Sequence, residues 1–369
     1  MEGNEFFVDE WGNMNYTASK EEMEMKRIFA IILLISMLLT LAGCSGLEKN
    51  PTQPTTKPTI QTQPDATKPG YVAKNKLSNP NATETTQKLY DYLCSLRGKG
   101  CLIGQQDNPD ATNPDSLMDQ ISQATGKMPA IRGFDYQNSD FGGVNELATQ
   151  WWNDGGIVAI TWHMDTYFQG GKNEAMVDQI ANWDDVLTPG TDTHNAFVGG
   201  MDQAAMALLQ LQEAGVTVIW QPFYQFDNNT FWWGKGGPKN FVKLWQLMYD
   251  RYTGHWGLNN LIWVLPYSDH GIACNQWYPG EEYCDILGAA SADGSVQKQM
   301  VQILRSVSDT KPTCLYACHE NPDPKELAAT PWAWFTVSDI QENSIENLRQ
   351  LYSSKYTVTR DELPGFIGK

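Results

Sequence analysis

Residues 220–234, WQPFYQFDNNTFWWG, place an amide, Gln225, and a carboxyl group, Asp227, two positions apart inside a run of aromatics. Flat apolar rings suit stacking against a sugar ring, and an amide adds neutral hydrogen bonds. Proton transfer is a different demand. A glutamine side chain has no proton to give at ordinary pH, so of these two groups only Asp227 has the chemistry of an acid or base. The stretch has the composition of a cleft rim that holds a ligand, with little left to cut it.

Such a rim must be carried by a scaffold. Eight short apolar runs supply one: CLIGQQD (101–107), PAIRGFD (129–135), IVAITWH (157–163), VTVIWQPFY (216–224), NLIWVLPYS (260–268), YCDILGAAS (283–291), PTCLYACHE (312–320) and WAWFTVSD (332–339). Each is β-branched or aromatic and ends in polar residues, and most are separated by amphipathic helical patterns. Eight β units with helices between them predict an α/β fold of the (β/α)8 TIM-barrel type, whose function sits where the strands end. One connection is thin. Only fourteen residues separate Ser268 from Tyr283, so the fifth helix is expected to be vestigial or missing.

Composition bounds the rest. With 369 residues, 14 Trp and 41% hydrophobic residues the chain can fill a large core, and its formal charge of −17 argues against nucleic acid or an anionic membrane surface as partner. Residues 1–24 are polar and acidic, and read as an upstream over-extension of the gene. Residues 25–44 begin with two positive charges, continue through an apolar stretch and end in LAGC, the form of a bacterial lipoprotein signal with lipidation at Cys44. Residues 45–83, rich in Pro, Thr and Gln, read as an extended linker, and 84–369 as the folded domain. The expected location is extracytoplasmic, on the cell membrane or outer membrane, exposed at the surface, with the lipid as its sole membrane attachment. Of the remaining six cysteines, Cys274 and Cys284 flank the loop NQWYPGEEY and are the pair expected to form a disulfide. No CxxC with His at zinc spacing occurs, so neither a metal site nor a cofactor is expected.

From about residue 84 to 369 the chain resembles glycoside hydrolase family 26, the β-mannanases and related endo-β-glycanases. The resemblance rests on ITWHMD (160–165), on P-F-Y-Q with FWWG (222–234), on WYPGEEYCDILG (277–288) and on YTVTRDELPGF near the end. It implies the barrel fold, a β-mannan or related polysaccharide or oligosaccharide as partner, and a retaining mechanism by two glutamates, one protonating the leaving oxygen and one attacking the anomeric carbon. The family's acid/base glutamate follows Arg-Pro-x-His on the fourth strand. That register here reads Gln221, Pro222, Phe223, Tyr224, Gln225. The nucleophile register on the seventh strand falls on Ala317, or on Tyr316 with a slip of one. The sixth-strand G-x-D-x-Y reads Gly288, Ala289, Ala290, Ser291, Ala292.

The binding side of the resemblance is retained. It implies ligand contacts from Trp162 and His163, Tyr224 and Gln225, the block Phe231, Trp232 and Trp233, Tyr278 on the Pro-Gly loop, and Trp334 on the eighth strand. Core packing is the competing role for Trp232 and Trp334, whereas Trp151, Trp152, Trp245 and Trp277 are expected to pack helices and loops. The expectation is a cell-surface carbohydrate-binding pseudoenzyme. The alternative is an active endo-β-1,4-mannanase whose carboxylates have moved, with Asp227 and Glu320 as stand-ins. Asp227 shares a face with Gln225 if the strand continues, and Glu320 lies three residues past Ala317.

Overall fold

The computed structural model describes residues 7–8, 14–15, 74–107, 113–137, 140–164, 180, 182–291, 298–338 and 344–368. Cys44, the signal segment and most of the linker lie outside the described residues. Near the start, Phe7–Val8 pairs antiparallel with Met14–Asn15.

The eight apolar runs form parallel strands: β1 (Cys101–Gln106), β2 (Ile131–Asp135), β3 (Ile157–Trp162), β4 (Val218–Pro222), β5 (Leu261–Tyr267), β6 (Ile286–Ser291), β7 (Thr313–Cys318) and β8 (Trp332–Val337). Each pairs with the next, and β8 returns to β1 with Trp334 opposite Leu102, which closes the barrel. Closure explains the unbroken apolar runs. Strand side chains alternate between the barrel interior and the helix layer, and both sides are dry. A ninth short strand, β9 (Thr357–Val358), pairs with Cys101 and Leu102, just ahead of the residues of β1 that meet β2.

The floor is sealed ahead of β1. Helix α1 (Glu84–Ser95) starts at Thr83, whose hydroxyl accepts from Thr86 N–H, a standard N-cap. It lies over strand starts: Thr83 N–H donates to Asn259 O at 2.8 Å, Thr86 and Thr217 hydroxyls meet at 3.1 Å, and Tyr90 OH donates to Asp285 O at 3.2 Å. Residues 74–79 form a strap against the same floor. Asp91 accepts from Lys74 N–H and Asn75 N–H, the buried Asp285 accepts from Ser78 N–H at 2.6 Å and Trp263 N–H at 2.8 Å, and Leu77 is buried. Residues 74–79, inside the span read as linker, thus pack against the barrel floor, supplying an apolar side chain and backbone donors to carboxylates that need them.

The strand connections carry α2 (Ser116–Thr125), α3 (Phe141–Asn153), α4 (Trp183–Leu187), α5 (Asp192–Glu213), α6 (Trp232–Lys235), α7 (Gly237–Asp250), α8 (Lys298–Val307), α9 (Pro324–Ala329) and α10 (Ile345–Ser353). Between β5 and β6 there is a 3-10 turn, Cys274–Gln276, in place of a helix. Residues 277–285 descend the outer wall, held by Trp245 Nε1–H to Tyr283 O and Gln246 Nε2–H to Pro279 O. That path overturns the expected disulfide. Cys274 follows the end of β5 and Cys284 precedes the start of β6, so they sit toward opposite ends of two parallel strands, and both are free.

Candidate functional site

Pro222 ends β4, and the chain turns at once: Phe223 and Gln225 take φ of +55° and +50°, left-handed values that non-glycine residues adopt at a cost. The turn is over-determined. Gln225 N–H donates to Pro266 O of β5 at 2.8 Å, and Trp233 Nε1–H donates to Tyr224 O at 2.9 Å. Gln225 Oε1 accepts from Asn228 Nδ2–H at 2.9 Å, which leaves the amide nitrogen as its donor end. Gln225 and Tyr224 both remain partly exposed at the mouth.

Because the strand stops at Pro222, Asp227 does not share a strand face with Gln225. It bends toward β5, where Oδ1 accepts from Ser268 N–H at 2.7 Å. Burial raises its pKa above the usual carboxylate value, and the bonds to Ser268 and the nearby His270 pull it part of the way back. Glu320 lies past the end of β7 and is exposed. Ala317 is half-buried on β7 beside a bulge: Ala289 faces Leu315, yet Ala290 faces Ala317, so Tyr316 is an extra residue in the ladder. Its ring leans over Gly288 of β6, where an added Cβ would stand 2.9 Å from Tyr316 Cδ1. Burial pushes the Tyr316 hydroxyl well above its usual pKa, and the charges of Asp227 and Tyr224 add to this. On β6, Ala289, Ala290 and Ser291 are buried, and Ala292 lies outside the described residues.

The wall opposite is aromatic. His163 follows β3, meets the Tyr224 ring edge-on at 4.5 Å and lies 6.3 Å from Phe231. Phe231 in turn stacks on Trp233 at 4.7 Å. His163 Nδ1 contacts Asp135 Oδ2, at the end of β2. Burial raises the Asp135 pKa, with the hydrogen bond and charge of His163 opposing it; burial raises that of the Tyr224 hydroxyl, to which Asp135 adds. Deeper in, Thr161 Oγ1–H donates to Gln221 Oε1 at 3.3 Å between neighbouring strands.

Of the residues expected to touch ligand, the structure gathers His163, Tyr224 and Gln225 at the mouth, packs Phe231 buried against them, and sends the rest elsewhere. Trp162 points to the opposite side of β3 from His163, as strand alternation requires, and stacks on Trp220 at 6.3 Å. Trp232 is fully buried, donates from Nε1 to Met164 O and packs against Trp183 and Phe197. Trp233 is buried behind Phe231, and Trp334 is buried within β8, so neither offers an open face. Tyr278 lies beside Glu281 and Cys284 on the segment that leads back to the start of β6, away from the mouth. Asp135 was not anticipated, and Tyr316 only as the slipped nucleophile register. Asp135 had a signal, as a carboxylate at a strand's C-terminal end, whereas the bulge that turns Tyr316 inward has no mark in the sequence.

Among the described residues no group of three or more His, Cys, Asp or Glu side chains could hold a metal ion, and no helix is long and apolar enough to cross a membrane.

Residues 78–362 match glycosyl hydrolase family 26. A mannan endo-1,4-beta-mannosidase of Thermothelomyces thermophilus is 32% identical over 83% of this chain and 67% of its own length. Mannan endo-1,4-beta-mannosidase B of Piromyces sp. is also 32% identical, over 79% of this chain, which spans 54% of that relative. Among solved structures, GH26A from Muricauda sp. MAR_2010_75 superposes with a TM-score of 0.72 at 32% identity, covering 78% of this chain and all but 1% of its own. A β-mannanase from a symbiotic protist of the termite Reticulitermes speratus, complexed with gluco-manno-oligosaccharide, gives 0.71 at 25% identity, over 79% of this chain and 98% of that one. A closed barrel whose matched span runs from the floor strap to the last 3-10 turn, with relatives a third identical across most of it, makes this chain a member of glycosyl hydrolase family 26.

Proposed function

We propose that this barrel captures β-mannan or a related plant β-glycan and holds it without cutting. The observation that carries the reading is the pair of side chains at the two catalytic registers: the amide of Gln225, fixed in a locked turn, and the methyl group of Ala317. Neither can supply the acid, base or nucleophile that retaining hydrolysis needs. The ligand class is supported by relatives named mannan endo-1,4-beta-mannosidases and by one solved with gluco-manno-oligosaccharide. Tyr224 supplies a partly exposed ring at the mouth, and Gln225 and His163 supply polar groups. Titrating the protein with β-mannans, xylan and mixed-linkage glucan is expected to give saturable binding to at least one β-mannan. Tyr224→Ala should weaken it by roughly threefold to tenfold, the worth of one stacked ring. Absence of binding to every glycan in the panel sinks the reading.

A second reading has one observation in its favour. Asp227, in the turn past the end of β4, is a largely buried carboxyl group with a raised pKa, a property shared with general acids. In that reading the chain is an endo-β-1,4-mannanase with a displaced acid.

The proposed setting is the outer face of a bacterial envelope, with a lipid on Cys44 as the membrane attachment. Cys44→Ala is expected to move the exported protein from the membrane to the soluble fraction. A processed variant that still sediments with membranes contradicts the anchor.

A further inference from the structure

Asp135 closes β2 and His163 follows β3, and the pairing of Asp135 with Thr161 sets the two side chains together at the mouth. His163 Nδ1 rests on Asp135 Oδ2, with the two side chains only 15% and 11% exposed. Tyr224 and Phe231 flank the imidazole ring. A neutral imidazole carries one N–H, and a carboxyl oxygen at Nδ1 draws it there, leaving Nε2 with a bare lone pair. Past the end of the neighbouring β4, Gln225 has its oxygen engaged by Asn228 and its N–H2 left to donate. The two groups are then complementary, one accepting and one donating. A sugar hydroxyl, which does both, fits such a pair.

We propose that Asp135 is a positioning residue that holds His163 in its Nδ1–H tautomer, so that Nε2 meets a bound glycan as the acceptor for a sugar hydroxyl. This rests on the capture reading above, and the test separates the two. The full chain is labelled with ¹⁵N histidine; there are five histidines, and the His163 signals are assigned by their loss in His163→Gln. Ring-nitrogen shifts of the free protein at alkaline pH report which nitrogen carries the proton, and titration with β-mannan reports affinity. Wild type is expected to carry it on Nδ1. Asp135→Asn keeps an oxygen able to accept, and should retain the tautomer with affinity within about threefold of wild type. Asp135→Leu removes the acceptor at similar volume. Its His163 should shift toward Nε2–H, and affinity should fall about tenfold, the worth of one hydrogen bond reversed. Should the leucine variant fail to fold, Asp135→Ala removes the same acceptor with less bulk. A wild-type His163 protonated on Nε2, or a tautomer unchanged in Asp135→Leu, overturns the positioning role. A shifted tautomer with unchanged affinity overturns the acceptor role. If wild type binds no glycan, the capture reading and the acceptor role fall together, while the spectra of the free protein still decide what Asp135 does to His163.

Discussion

Incubated with soluble β-mannan, the purified protein is expected to release no reducing sugar above a buffer blank. Retaining hydrolysis needs two carboxyl groups about 5–5.5 Å apart, one to protonate and one to attack. General acid–base assistance alone contributes roughly 10²–10⁴-fold, and covalent assistance adds to it, so loss of both puts the rate below detection. The nearby acids are poorly placed as replacements. Glu320 is exposed past the end of β7, and Asp227 is turned toward β5 by its bond to Ser268 N–H. Gln225→Glu should therefore restore an acid without restoring turnover, since Ala317 still has nothing with which to attack. Sustained release of reducing sugar that disappears in Asp227→Ala is the result that defeats this expectation and establishes the second reading.

The second large effect concerns stability. Trp232→Ala and Trp334→Ala should each cost about 3–5 kcal/mol, the usual penalty for truncating a large buried aromatic. At roughly 2–4 °C per kcal/mol for a domain of this size class, that is a fall in melting temperature of about 6–20 °C. Trp232 has more to lose than its ring contacts: without the indole, Met164 O loses the N–H that now satisfies it. Thermal unfolding of the two variants beside Tyr224→Ala separates the roles, because Tyr224 is partly exposed at the mouth and should affect ligand more than melting. A Trp232→Ala protein that melts within a few degrees of wild type while losing glycan affinity would show that its ring serves the ligand after all.

The barrel was legible because its requirements are repetitive. Eight apolar runs of strand length, most of them separated by helical patterns, leave few other topologies, and even the missing fifth helix followed from a fourteen-residue gap. The site was less legible, and strand geometry explains why. Where both faces of a strand are dry, composition does not say which residue points inward. Trp162 and His163 are neighbours on β3 and so cannot both face the cleft; alternation sends the tryptophan to Trp220 and the histidine to Asp135. Tyr278 depended on a path that only packing reveals, since a segment without a helix must still carry the chain back to the start of β6. The same detour parts Cys274 from Cys284. The strap escaped notice for a different reason: among polar residues, one leucine and a few backbone donors leave no periodic signature, yet Asp91 and Asp285 depend on them.

In the proposed anchored setting, that strap is one place where force enters the domain. A pull along the chain ahead of Lys74 reaches Asp91 on α1, then Asp285 at the start of β6, with Asn79 gripping Leu258 O ahead of β5 at 3.1 Å. All of these lie at the ends where strands begin, and the rim loops lie where they finish. In the proposed anchored, glycan-capturing setting, tension on the strap and drag on the rim would load opposite ends of the barrel. A domain held in that proposed setting would align its axis with the pull and keep its opening downstream, with the rim outside the path that bears the strain.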